Sequence, residues 1–185
     1  MRRILRDKLY NKHYDKLLRT RSARSGSSVN TISSVTVLAP SSSISDSDMK
    51  DIKSFFDKMQ INLHIYLLRE KGEPLSEIDR VNIISREDCE WYGVPSQEIL
   101  INWLANKTDL LIISDPNRQP LMRYLCAASN SKLKSAVYDD NINRESYDID
   151  LWIDSSSGVP LSLYKQCEQT YRTLTKLGIG LPVIG

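Results

Sequence analysis

Asp115 closes an apolar run and Arg118 follows three residues later, the pairing in this chain best suited to orient a substrate or hold a metal. The aspartate has a plainer use too, since a carboxylate at a strand end often accepts from the amides of the next loop. Ser41, Ser43 and Ser45, in the stretch from Pro40 to Ser47, offer hydroxyls and free amides ahead of a helix, which suits an anion. That stretch has no glycine and matches neither of the common phosphate-cradling loops. Serines before a helix more often make a turn and a cap. Asp139 opens a third polar stretch, to Asn143, after another strand. In open α/β sheets, ligands bind at such places, the carboxyl ends of strands.

Other reaction types find little support. The two histidines are His13, in a basic arm, and His64, inside a strand on the same face as Tyr66. Cys89, Cys126 and Cys167 lie 37 and 41 residues apart, too far for zinc-ligand spacing and odd in number for a disulfide framework. Cys126 and Cys167 fall on apolar stripes and read as core, whereas Cys89 lies in a charged loop. Catalytic triads, zinc helices and nucleophile elbows have no match, so no metal and no cofactor are expected.

Charge is distributed unevenly. Residues 1–24 hold nine Lys or Arg against Asp7 and Asp15, giving +7 within a chain whose net charge is +2. A basic arm on a mildly acidic body suggests a polyanion partner, nucleic acid or an anionic membrane. The candidate contacts are Arg2, Arg3, Arg6, Lys12, Lys16 and Arg19. The bland alternative is a solvated helix that happens to be basic. The start has no continuous apolar region as a secretory signal would, and its aspartates are unusual for an organellar transit peptide. No apolar run approaches a membrane span, so the cytoplasm is the expected compartment.

These residues need elements to place them. Hydrophobic residues make up 41% of 185, enough for one packed domain and too many for extended disorder. Leu5, Leu9, Tyr10, Tyr14, Leu17 and Leu18 stripe a helix from Ile4 to about Thr20. The serine- and glycine-rich stretch that follows reads as a linker detaching this arm. Strands are expected at 34–39, 63–68, 81–84, 109–115, 133–138 and 149–153. Helices are expected after Ser45, after Ser96, from Pro120 and from about Leu161 to Leu177, with Gly178 as the last one's stop. No helical stripe joins the second and third strands, leaving a hairpin or a loop crossover.

Alternating strands and helices, with strands apolar on both faces, predict a three-layer α/β fold. Its sheet is Rossmann- or flavodoxin-like and mostly parallel, with an extra basic amphipathic helix at the N-terminus. The expected division is a helix at 1–24, a linker at 25–33, one α/β domain at 34–178 and an apolar tail at 179–185. That tail is expected to dock partly, through Ile179 and Leu181. Trp91 and Tyr92 form an aromatic loop that either caps the core or offers a stacking platform.

Several stretches together carry a likeness to a known group. They are Asp88-Cys89-Glu90-Trp91-Tyr92-Gly93-Val94-Pro95, Asp109-Leu110-Leu111-Ile112, Pro120-Leu121-Met122-Arg123-Tyr124 with Ala127-Ala128-Ser129, and Tyr147-Asp148-Ile149-Asp150-Leu151-Trp152-Ile153-Asp154. The chain resembles a bacterial domain-of-unknown-function family of small α/β proteins that begin with a basic helix. The resemblance implies a glycine after the basic residue of the fifth strand, where this chain has Ser135-Ala136. It transfers no catalytic residue. The leading reading is a non-catalytic binding module whose basic helix contacts a polyanion. The alternatives are an enzyme or nucleotide-binding protein using the strand-end crevice near Asp115, and a peripheral membrane protein anchored by residues 1–21. Self-association is a further expectation.

Overall fold

Val35, Val37, Leu38 and Ala39 point to both sides of one strand and are all buried, as are Leu110 to Ile113 in another. Strands of this kind persist only with a layer on each face. The computed structural model describes residues 2–20, 29–69, 81–115, 119–138, 148–154 and 161–180. Its strands are β1 (Ser34–Pro40), β2 (Asn62–Arg69), β3 (Asn82–Ser85), β4 (Leu110–Ile113), β5 (Leu133–Tyr138) and β6 (Leu151–Asp154). They form one six-stranded sheet in the order β3-β2-β1-β4-β5-β6, with every pairing parallel. This is the doubly wound order, and the chain reverses its direction of build between β1 and β4. Parallel pairing of β2 with β3 makes their connection a crossover, not a hairpin.

Five helices complete the layers among the described residues: α1 (Arg2–Thr20), α2 (Asp46–Lys58), α3 (Gln97–Ala105), α4 (Pro120–Ala128) and α5 (Leu163–Lys176). Local chemistry marks their ends. Ser45 accepts from the Asp48 amide to start α2, Ser96 caps α3, Pro120 occupies the first turn of α4, and Gly178 follows α5 at φ 79°. Left-handed backbone there costs a glycine nothing. Ile52 and Phe56 of α2 meet Cys167 and Leu174 of α5 over one sheet face. Trp103 of α3 and Met122, Leu125 and Cys126 of α4 cover the other.

The arm is not detached: α1 shares that second core. Tyr10 and Tyr14 are 7% and 5% exposed, stack at 5.9 Å, and each meets Tyr124 of α4 at 6.3 Å. The Tyr10 hydroxyl donates to the Pro120 carbonyl at 2.7 Å, and the Arg123 guanidinium lies 4.2 Å from the Tyr14 ring centre. The serine-rich linker signal pointed away from this, because composition reports backbone freedom and not where the flanking helix packs. Residues 21–28 themselves lie outside the described residues. At the other end, Ile179 packs against the α2–α5 core and the Gly180 amide donates to the Asn30 carbonyl at 2.7 Å, while Leu181 lies beyond the description.

Asp109 was expected to begin β4 but precedes it, and its carboxylate ties three strand starts together. Oδ2 accepts from the amides and hydroxyls of Ser33 and Ser34 at 2.8–3.1 Å, and Oδ1 pairs with Lys132 at 2.7 Å. Burial alone would raise this carboxyl's pKa, but Lys132 and the two serines outweigh burial and hold it well below the ordinary 3.8. The site lies at the amino ends of the strands, opposite the ligand-binding edge, so its contribution is to stability. A group with a depressed folded pKa stabilises above its unfolded value and stops doing so as pH falls through the folded one. Asp109→Asn should therefore cost about 2–3 kcal/mol at neutral pH, from the loss of charge-assisted hydrogen bonds. The gap between variant and parent should shrink below about pH 4. Denaturant unfolding at pH 7 and pH 3 checks both.

Candidate functional site

The inward residues of α1 fix which of its residues face out. With Tyr10, Tyr14 and the half-buried Leu17 against α4, the 100° step per residue puts Lys8, Lys12, Lys16 and Arg19 on the opposite side. All four are exposed, as are Arg2, Arg3 and Arg6. Spacings of i, i+4, i+8 and i+11 give one positive charge per turn over about 16 Å. Asp15 interrupts the stripe at its edge. Lys8 was not among the candidates read from sequence, although its spacing from Lys12 would have found it. Arg6 leaves the stripe and pairs with Asp7 at 3.4 Å. Arg2 and Arg3 occupy a first turn that contains no acid, where the helix dipole favours anions over cations. Stability of the helix does not account for charges placed there.

At the strand ends, the structure places Ser41 and Ser43 in a short turn directly after β1, and Asp115 two residues beyond β4. They flank the point where the sheet reverses. Each already has a structural partner. The Ser41 hydroxyl donates to the Leu68 carbonyl at 3.1 Å, that of Ser43 to the Pro40 carbonyl at 2.8 Å, and Ser45 caps α2 while donating to Asp48 at 2.9 Å. Asp46 and Asp48 fill the first turn of α2 and oppose an anion at that helix end. Asp115 Oδ1 accepts from the Gln119 amide at 3.0 Å and so shapes the entry to α4, as the plainer reading expected. Arg118 and Asp139 lie outside the described residues.

An open cleft of about 790 Å³ lies beside this crevice, toward the β2–β3 edge. Its walls come from α1, the first residues of α4, the ends of β2 and β3, and the loop at Cys89–Gly93. Arg69, Arg86 and Arg123, which line it, were not picked out from the sequence. Cys89, also on the wall, has its thiol pushed up to about 11 by burial and then by the neighbouring Asp88. It stays protonated at neutral pH and makes a poor nucleophile. No group of three metal-ligating side chains occurs among the described residues, and no described helix is long and apolar enough to cross a membrane.

A family model matches residues 6–158, from inside α1 to just beyond β6. The chain belongs to DUF6913, a family of unknown function. The DUF6913 match takes in both sides of the α1–α4 contact and every strand of the sheet, and stops short of α5. Where a glycine was expected after Lys134, the Ser135 side chain is fully buried and its hydroxyl meets that of Thr170 on α5 at 3.1 Å. A side chain, not a close backbone approach, fills that position. No curated protein matches the chain.

Proposed function

We propose that this DUF6913 protein is a non-catalytic binding module that presents the outer face of α1 to nucleic-acid phosphates, without sequence preference. The observation that carries this reading is the division of α1: its aromatic stripe is packed on α4, and the exposed remainder is mostly charged, with Ile4, Leu5 and Leu18 as its large apolar residues. A docked helix also holds its cations in fixed register, so less side-chain and backbone freedom is lost on contact than in a free arm. The serines and Asp115 at the strand ends are occupied in shaping the fold, which favours binding over catalysis.

Lipid is the competing polyanion. Anchoring in a bilayer needs an exposed apolar stripe, and α1 leaves Ile4, Leu5 and Leu18 exposed while its central stripe is packed. Replacing Lys8, Lys12, Lys16 and Arg19 together by glutamate should weaken binding to a mixed-sequence single-stranded RNA at low salt by at least a hundredfold. The melting temperature should stay within a few degrees, since all four side chains are exposed. Unchanged RNA binding in the fourfold variant, or binding to anionic vesicles with none to RNA, contradicts the proposal.

A further inference from the structure

The cleft beside α1 has a composition that the polyanion reading does not use. Arg69 is the last residue of β2, and Arg86 directly follows β3, whose Ser85 pairs with Arg69 in the sheet. Parallel pairing thus brings two guanidinium groups to neighbouring strand ends. Arg123 comes from the first turn of α4 and is steadied against Tyr14 at 4.2 Å, and Arg6 reaches the same cleft from α1. Among the described residues, Asp7 and Glu90 are the carboxylates on the wall, and Asp7 is engaged with Arg6, so the described lining is net positive. The first turn of α4 contains no acid, and its Leu121 and Met122 amides have no intrahelical acceptor. The Asp115 carboxylate, on the Gln119 amide at 3.0 Å, lies at that helix end, so the positive charge of the cleft comes from its arginines.

The aromatic part of the cleft is built by a small hairpin. Cys89 bridges Pro95, the Gly93 amide donates to the Glu90 carbonyl at 2.8 Å, and Gly93 takes a φ of 90° that closes the turn. The turn holds Trp91 and Tyr92 at its tip. Tyr92 packs inward against the core and lies 5.1 Å from His13 of α1, as the capping alternative expected. Trp91 remains 58% exposed and lines the cleft. A large exposed indole beside four arginines serves a ligand with both a planar ring and a concentrated negative charge. At about 790 Å³ the cleft falls in the range of small-molecule sites, large enough for base, sugar and phosphates.

We propose that this cleft is a nucleotide site, taking a nucleoside mono- or diphosphate with its base on Trp91 and its phosphates among Arg69, Arg86 and Arg123. Arginine forks match phosphate oxygens in pairs, and an aromatic face accepts any base. The site is distinct from the outer stripe of α1, so the two readings stand or fall separately.

Titration of the full chain with ADP, followed by tryptophan fluorescence and calorimetry, tests it. Among the tryptophans Trp103 is buried, so quenching that disappears in Trp91→Ala assigns the base to this cleft. Trp91→Ala and Arg86→Glu should each weaken ADP by tenfold or more, with no change in melting because both side chains are exposed. Inorganic phosphate should compete weakly, in a manner that Arg86→Glu removes and Trp91→Ala leaves intact. RNA binding through Lys8, Lys12, Lys16 and Arg19 should survive both substitutions. No ADP binding at millimolar concentration, or ADP binding that neither variant weakens, overturns the proposal. So does capture of a 5′-phosphorylated oligonucleotide with none of free ADP.

Discussion

Lys134→Ala should be the most damaging single substitution in the sheet, lowering stability by about 3–5 kcal/mol. Lys134 lies in β5 and is fully buried, which is rare for a lysine. Its Nζ donates to the Cys126 carbonyl near the end of α4 and to Asp148 Oδ2 at 3.1 Å. Its backbone amide donates to Asp150 Oδ2 at 2.8 Å, so this one residue fastens the approach to β6 onto β5 and α4. Alanine would leave a cavity and take the ammonium from the Cys126 carbonyl, which would keep the Ser129 amide at 3.3 Å. Methionine restores most of the volume without the charge, and Lys134→Met should recover part of the loss. For a chain of this size the alanine variant should melt roughly 10 °C lower. A melting temperature within two degrees of the parent would show the buried ammonium to be dispensable.

The second large effect is expected at the α1–α4 contact. Tyr14→Ala removes a side chain that is 5% exposed, stacked on Tyr10 and covered by Arg123, and should cost about 3–5 kcal/mol. Burial pushes the Tyr10 phenol well above its usual pKa, with Arg123 offsetting part of this, so it remains a neutral donor to Pro120. Tyr10→Phe should accordingly cost only about 1 kcal/mol. Leu18→Ala, at a position 43% exposed, should cost little. Loosening α1 should also open its lysines to trypsin before the body is cut. If Tyr14→Ala melts like the parent, α1 is not part of the core.

Much of the architecture was legible because it is written locally. Val35 to Ala39 and Leu110 to Ile113 are apolar on both faces, and that demands a layer on each side. Ser45, Ser96, Pro120 and Gly178 mark helix ends by chemistry that acts within a few residues. What was not legible depends on tertiary placement. The stripe of Tyr10 and Tyr14 was visible, but an amphipathic face does not say whether it meets its own body, a second chain or a membrane. The direction of β3 was open because no helical stripe precedes it. Arg69, Arg86 and Arg123 form no motif, and only the order of the strands brings them to one cleft. Asp115 drew notice as a strand-terminal carboxylate, and its bond to Gln119 gives it a role in the loop.

The salt dependence of RNA binding tests the central claim most directly. A protein that neutralises phosphates with lysine releases counterions, and the logarithm of its binding constant falls linearly with the logarithm of salt concentration. For single strands each contact contributes a slope of about 0.7. Replacing Lys8, Lys12 and Lys16 by alanine should reduce the magnitude of that slope by about 2, with folding unchanged. An identical slope in the parent and the threefold variant would mean that the outer face of α1 does not touch the polyanion.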